Sequence, residues 1–411
     1  MPRDARNIGT RHNRPMRFFR DLSLSTFTAG FVAVLVGFTS SVAIVFQAAL
    51  AFGASPAQVS SWMWALGLGM GLCSLVPSLW LRKPVMVAWS TPGAAVLATA
   101  GVAGGFSMAD AVGAFMLSAA LVTLFGVTGW FDRIMNRIPM ALACALLAGV
   151  LSRFGLQAFV AAQTALPLVL LMLAGYLLGR RLAPRYAVVL TLLAGVAFVA
   201  AQGQFSGADW RLEMALPVFT LPQFGWSAMV SLAIPLFVVT MASQNLPGVA
   251  AIRAAGYGGP DGLPVSRIIT LTGVATLLLA PFGAFALNLS AITAAMCMGP
   301  EAHRDPARRY TAAVSCGAIY VVIGLLGATI TGVLTAFPKE LVAAIAGLAL
   351  LGTIANALAV ALQDELHREA AIITFLVTLS GIVLGGVGSA FWGVVAGAIA
   401  FMVQQYGRSL R

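Results

Sequence analysis

The sequence predicts an all-α polytopic membrane protein of about fourteen transmembrane segments, built as a 7+7 inverted repeat. Segments 3 and 10 are each expected to be discontinuous, a short extended stretch followed by a half-helix. Three observations predict this. Of the 411 residues, 60% are hydrophobic and 9% charged, against about a quarter charged in a soluble domain, and mean hydropathy is +0.94. Apolar runs of about 18 residues or more recur between residues 26 and 407. Within two of them, Ser90-Thr91-Pro92-Gly93 and Asn288-Leu289-Ser290 spell a helix start in the middle of a span. The alternation of a membrane β-barrel is missing from the sequence. The first 20 residues are an Arg-rich polar tail, longer and more charged than a signal-peptide n-region, so no cleavable signal is expected.

The segments follow from the apolar runs and their charged or Gly/Pro-rich edges. They are placed at 26–50, 59–81, 84–104, 108–130, 138–161, 165–180 and 186–203, then at 225–253, 266–282, 284–300, 309–336, 341–361, 370–386 and 388–407. A basic tail occupies 1–24, the two sets of seven occupy 25–205 and 225–407, and a connector at 206–224 joins them. Arg82 and Lys83 close segment 2, and Arg133 and Arg137 follow segment 4. Arg180, Arg181 and Arg185 follow segment 6, and Arg253 and Arg267 flank the loop after segment 8. Arg304, Arg308 and Arg309 follow segment 10, and Arg368 follows segment 12. Adding six arginines in the tail and Arg408 and Arg411 at the end puts 21 of the 24 Lys and Arg on one side. Only Arg211 and Lys339 lie opposite, and Arg153 falls inside segment 5. The positive-inside rule then puts both termini in the cytoplasm and requires an even number of crossings of a multi-pass protein. The net charge of +11 reads as topology and attraction to anionic lipid, not as a nucleic-acid footprint.

Two stretches suggest that the halves repeat. STPGAAVLATAG (90–101) matches NLSAITAAMCMG (288–299), an offset of 288 − 90 = 198, and LLAGVLSRF (146–154) matches ALLGTIANA (349–357). Seven segments per half would invert one copy relative to the other. In segment 3, PVMVAW (84–89) is about 20 Å when extended, so the helix would begin near the midplane at Ser90. Segment 10 would mirror this, extended from Pro281 to Leu287 and helical from Asn288. Ser90, Thr91, Asn288 and Ser290 suit a helix cap, and Pro92 suits a first turn. Two helix N-termini facing each other there would carry unpaired N–H groups and partial positive charge. Such ends must line a cavity or meet a ligand.

KPVMVAWSTPGAAVLA (83–98), SSVAIVFQAALAFGASPAQ (40–58) and MASQNLPGVAAIRAAGY (241–257) closely resemble the bacterial benzoate membrane transport family of benzoate:proton symporters, over about residues 20 to 407. The resemblance implies uptake of benzoate or a related aromatic acid across the bacterial inner membrane, coupled to protons. It also implies distant kinship with the nucleobase/ascorbate transporter fold. In that fold a core domain of segments 1–4 and 8–11 works against a gate domain of segments 5–7 and 12–14, with substrate between the two half-helices. No cofactor or metal is implied, and a homodimer is left open as the assembly.

A carboxylate needs N–H donors and positive potential. The nominees are the backbone around Thr91–Gly93 and Leu289–Ala291 and the side chains of Ser90, Thr91, Asn288 and Ser290, with Gly93 letting the anion approach the backbone. Trp89, Phe46 and Phe285 are candidates for an apolar wall against the ring, or else simple packing. Gln244 and Asn245 precede Arg253 by eight or nine residues, about 12–14 Å along a helix. Amides at that depth either hold helices together or meet a ligand, and Pro247 and Gly248 open the helix beside them. Gln47 is their counterpart in segment 1. Arg153 either attracts the carboxylate from the outer side or pairs with backbone carbonyls at a domain interface.

None of the 13 acidic residues lies mid-segment, and His12, His303 and His367 lie in the tail or loops. The related nucleobase carriers use a buried glutamate in segment 8, where this chain has SQNLPG (243–248). The proton would therefore travel on benzoate itself, or through Glu301 or Asp305. An enzyme is not expected. HExxH, P-loop and Cys–His patterns are missing, Cys73, Cys144, Cys297 and Cys316 read as apolar core, and Gly67, Gly69 and Gly71 read as helix packing. Polar residues clustered at one depth favour alternating access over a channel. The strongest rival is transport of another organic anion or nucleobase-like solute on the same fold.

Overall fold

The computed structural model describes residues 14–131, 140–203, 212–259, 261–290, 292–300, 302–384 and 387–405. Among these residues, eight helices are long and apolar enough to cross a membrane, nine if one bent pair counts as a span. The first half contains α1 (Arg14–Asp21), α2 (Leu24–Thr39), α3 (Val42–Ala51), α4 (Pro56–Leu81), β1 (Val87–Trp89), α5 (Thr91–Gly104), α6 (Met108–Thr128), α7 (Met140–Val160), α8 (Ala162–Leu182) and α9 (Ala187–Ala201). The second contains α10 (Trp226–Arg253), α11 (Val265–Leu279), β2 (Leu287–Leu289), α12 (Ile292–Met298), α13 (Tyr310–Leu325), α14 (Gly327–Ala336), α15 (Lys339–Gln363), α16 (Arg368–Ser380), the short strands β3 (Val383–Leu384) and β4 (Val387–Gly388), and α17 (Ser389–Gln405).

Local sequence explains the helix starts. Ser23, Ser55 and Ser107 each cap a helix and form capping boxes with Thr26, Gln58 and Asp110, which satisfies first-turn N–H groups. Small residues then let helices approach closely, as expected where lipid gives little hydrophobic drive for association. A Cβ on Gly67 would sit 2.5 Å from Gly324 Cα, and one on Gly71 2.7 Å from Gly317 O, so the glycine row of α4 is the contact surface for α13. Gly126 and Gly273 do the same between α6 and α11, against Thr270 and Thr123. Among the described elements α7 packs on α15 and α16, α8 on α9 and α15, and α16 on α17.

The two broken segments meet in the interior. β1 and β2 pair antiparallel with Ala88 opposite Asn288. Ser90 N–H donates to Ala286 O at 3.1 Å, and Ser290 N–H to Met86 O at 2.9 Å. These two bonds exchange under an offset of 290 − 90 = 200, not the 198 expected from sequence. α5 begins at Thr91 with Ser90 as its cap, as the capping residues predict. The described part of α12 is Ile292–Met298, and Asn288 stands inside β2 instead of capping a helix. The cause lies upstream. The chain after Pro281 is not extended throughout, because Ala280–Phe282 form a tight 3-10 turn and Gly283 follows at φ +103. Glycine is required at 283, since a Cβ would lie 1.9 Å from Trp62 Cδ1.

Other boundaries also shift. The run 309–336 is not one straight span, for its helices bend by 69° at Leu326. The run 370–386 is helical only to Ser380, after which Gly381 at φ +71 turns the chain into the β3–β4 hairpin. Segment 1 breaks at Ser40–Ser41. The described part of the connector, 212–224, has no helix and is pinned by Ala215 N–H to Leu325 O, Thr220 N–H to Pro281 O and Gln223 N–H to Ala109 O.

Candidate functional site

A cavity of about 430 Å³ opens beside the paired strands, within the usual range for small-molecule sites. Its buried end is formed by Ala88 and Trp89 of β1, Thr91 and Pro92 of α5, and Ser290 and Thr293 around the start of α12. α10 contributes Ser243, Gln244 and Pro247, and α13 contributes Tyr320. The far wall comes from α7, α8 and α15, with Leu147, Leu151, Leu350, Tyr176, Arg180 and Asn356.

The donors at α5 are fewer than a bare helix end would offer. Gly93 N–H is taken by Ser90 Oγ at 3.0 Å, Ala94 N–H by Ser90 O at 2.8 Å, and Pro92 has no N–H. Thr91 is left, with its N–H and its hydroxyl. Ser90 Oγ also accepts from Thr240 Oγ1 at 3.1 Å, so it serves the cap and not the cavity. Ser290 and Thr293 share one hydroxyl hydrogen bond, which leaves one hydroxyl proton for a ligand.

Proline shapes the contribution of α10. The helix contains two π-type turns, Met229–Ala233 and Met241–Asn245, each two residues before a proline, Pro235 and Pro247. A proline within a helix removes one hydrogen bond and crowds the carbonyl four residues back, and the wider turn relieves both. The second turn brings Ser243 and Gln244 to the cavity. The Ser243 Oγ is buried with no partner, and Gln244 forms no side-chain hydrogen bond among the described residues.

The nominated residues therefore separate. Trp89, Thr91, Gln244 and Ser290 line the cavity together. Ser90, Gly93, Asn245, Asn288 and Leu289 lie outside its lining and are buried. Asn245 Oδ1 accepts the Leu289 N–H at 3.0 Å, fastening α10 to β2. Asn288 Nδ2 donates to Ala286 O at 2.9 Å, and its Oδ1 has no partner. Leu236 packs on Gly93, 2.7 Å from where a Cβ would stand, so packing by itself requires a small residue there. Gln47 is half-buried on α3, away from the cavity. Of the three aromatic candidates only Trp89 lines it, with its Nε1 donating to Ser41 Oγ at 2.7 Å. Phe285 packs instead at a tilt against Trp62 and Phe115, and Phe46 is buried core.

Arg153 lies in a separate narrow space of about 10 Å³ with Thr99, Ser231, Thr378, Gly381 and Ser389. Its Nη1 is buried without a partner, and a Cβ on Gly381 would be 2.6 Å from it. Glu301 lies outside the described residues, and the Asp305 carboxylate caps a 3-10 turn through Ala307 N–H at 2.9 Å. Sequence reasoning missed Thr293, Tyr176, Tyr320, Arg180 and Asn356. Their signals were weak, since Arg180 reads as a loop charge and Asn356 as one polar residue in an apolar run. No group of three or more His, Cys, Asp or Glu is placed to hold a metal among the described residues.

Comparison with known proteins agrees with this architecture. A family model described as benzoate membrane transport protein matches residues 20–403. The inner membrane protein YdcO of Escherichia coli is 47% identical over 388 residues, covering 94% of this chain and 97% of that protein. The benzoate membrane transport protein of Acinetobacter baylyi is 38% identical over 384 residues, covering 93% and 96%. Among solved structures, the transmembrane domain of the cyanobacterial bicarbonate transporter BicA has a TM-score of 0.60 at 14% identity, covering 95% of this chain and 98% of that one. The murine anion transporter Slc26a9 in its inward-facing state has a TM-score of 0.55 at 12% identity, covering 98% and 74%. At such identities the structures share the fold alone. The chain is thus a multi-pass membrane transporter and not an enzyme, and it belongs to the family of benzoate membrane transport proteins.

Proposed function

We propose that the chain is a secondary active transporter that imports benzoate or a related aromatic carboxylate together with protons, by alternating access across a bacterial inner membrane. One observation carries the reading beyond family membership. The cavity joins hydroxyl, amide and backbone donors at a broken-helix end, Thr91, Gln244, Ser290 and Thr293, to an apolar wall of Trp89, Leu147, Leu151 and Leu350. A carboxylate fits the first set and an aromatic ring the second.

The architecture proposed is fourteen spans in a 7+7 inverted repeat. α2–α3 and α4 form the first two, β1 with α5 the third, and α6 to α9 the next four. α10, α11, β2 with α12, α13 with α14, α15, α16 and α17 form the second seven. Exchanging elements about 200 residues apart turns the α4–α13 contact into α11–α6, α7–α16 into α15–α8, and α8–α9 into α16–α17, all of which occur. This reciprocity and the two exchanged strand bonds support the repeat. Both termini are assigned to the cytoplasm from the charge count. Spans 1–4 and 8–11 are the core domain and 5–7 and 12–14 the gate, with Arg153 at the closed outer junction between them.

Counterflow of labelled benzoate in proteoliposomes, against a panel of aromatic and aliphatic acids, bicarbonate and nucleobases, tests the reading. Exchange is expected for benzoate and close aromatic acids. A protein that exchanges only small inorganic or aliphatic anions would establish the rival assignment. Light scattering of the same preparation gives the oligomeric state, for which a homodimer is proposed.

A further inference from the structure

One wall of the cavity carries a charge that the carboxylate site at the strands does not use. Arg180, in the last turn of α8, lines the cavity and is exposed, as are Pro184 and Asn356 beside it. The lining thus runs from buried Trp89 to exposed Arg180, which makes the Arg180 end the mouth of the cavity. Among the described residues Arg180 is the one fully charged residue of the lining, and none of them contributes a carboxylate to it. Among the described residues the guanidinium has no hydrogen-bond or ion-pair partner. An arginine with five donors, beside the uncharged polar groups of Tyr176 and Asn356, is poised for an anion from outside the protein.

The space in front of it is kept open by a glycine. Gly352, on α15, lies opposite, where a Cβ would stand 3.9 Å from Tyr176 Oη and 4.0 Å from Arg180 Nη1. A methyl group there would make ordinary contact, but a longer side chain would fill the place where a carboxylate could lie against the guanidinium. Asn356 follows one helical turn later and brings an amide to the same mouth. Leu350 and Val188 supply apolar surface within reach.

We propose that Arg180, with Asn356 and the open space over Gly352, forms a second carboxylate subsite at the mouth of the cavity. The guanidinium takes the carboxylate in a two-pronged pair, and the ring rests on Leu350 and Val188. The subsite rests on the aromatic-carboxylate reading above and adds to it a held state between the deep site and the cytoplasm. It also gives the mouth a preference for anions over neutral aromatics of the same shape.

The test measures benzoate exchange separately on the two faces, in inside-out and right-side-out membrane vesicles. Arg180→Gln should raise the benzoate KM on the cytoplasmic face about fivefold, the scale of an exposed but well-aligned ion pair. The outer-face KM should not follow. The wild-type advantage should shrink as salt is added, since the pair is solvent-facing. Inhibition by neutral benzamide on the cytoplasmic face should be unaltered. Arg180→Lys should recover part of the affinity, and Gly352→Leu, which keeps the arginine but fills its space, should mimic Arg180→Gln. Arg181→Gln, which removes the same charge from the neighbouring exposed position, should leave both KM values as they are. An Arg180→Gln protein with unaltered cytoplasmic KM, an equal change on both faces, or the same change in Arg181→Gln would each overturn the subsite while leaving the transport reading intact. A wild-type protein that exchanges no aromatic carboxylate defeats the transport reading itself.

Discussion

Gln244 and Asn245 are neighbours in sequence with opposite surroundings. The Asn245 side chain is fully buried and its Oδ1 accepts the Leu289 N–H, whereas Gln244 faces the cavity. Replacing Asn245 by Ala leaves that N–H buried without an acceptor, at about 1–3 kcal/mol, and should lower the melting temperature of the purified protein. Gln244→Ala should leave the melting temperature within error but weaken benzoate binding about tenfold or more, the value of one hydrogen bond to a charged group. Equilibrium binding and thermal melting of the two variants check the division, and a reversal of their effects would exchange the roles. Gly93→Leu should fail in folding, not in binding, because its side chain would meet Leu236 and the Ser90 cap. Low yield of monodisperse protein is the expected readout.

At the scale of the element, Pro247 decides where the side chains of α10 point. Pro247→Ala restores the missing N–H and removes the clash, so the π-type turn at Met241–Asn245 loses its cause. The expected result is a more stable protein that binds benzoate more weakly, because Ser243 and Gln244 rotate away from the cavity. A variant with unchanged affinity would show that the wide turn is held by tertiary packing alone. The turn between α15 and α16 offers a pH test outside the membrane. A hydrogen bond from the His367 ring, helped by the Leu366 N–H, holds the Asp364 carboxyl below the usual carboxylate range. A lowered folded-state pKa contributes stability that is present above the unfolded pKa of about 4 and lost as pH falls through the lower folded value. Asp364→Asn should therefore melt earlier than wild type at pH 6 to 7, with the gap closing in acid. A gap that widens below pH 4 would contradict the shift.

At the scale of the whole molecule the question is energy coupling. Uptake of a bare anion into a negative interior runs uphill by about 2.3 kcal/mol per 100 mV. One accompanying proton removes that cost and lets a pH gradient drive accumulation. Among the described residues no carboxylate or imidazole lines the cavity, so coupling is expected without a dedicated acid there. Glu301→Gln and Asp305→Asn should then slow transport without uncoupling it. Proteoliposome uptake under an imposed pH gradient, and separately under an imposed potential, measures this. A single amide variant that keeps exchange but loses gradient-driven accumulation would identify the proton carrier and reverse the expectation.

By itself the sequence determined the helical membrane architecture, the break at Ser90 and the family. Each follows from local chemistry or from long quoted motifs: apolar runs must span lipid, and a Ser-Thr-Pro-Gly stretch starts a helix wherever it sits. It also marked Gln244 and Ser290, because polar groups at that depth need a reason. Only the tertiary structure decided that Asn288 sits in a strand, because the upstream turn at Ala280–Phe282 and the glycine under Trp62 delay the second helix. It decided that Asn245 bonds Leu289, that Gly93 lies against Leu236 and that Gln244 lines the cavity, since neighbours on one helix face different partners. It placed Arg180 at the mouth, a position that depends on where α8 ends against α15 and that no local pattern encodes. Hydrophobicity and capping act along the chain, whereas a site is defined by which side chains from distant segments are left without a partner once the helices have packed.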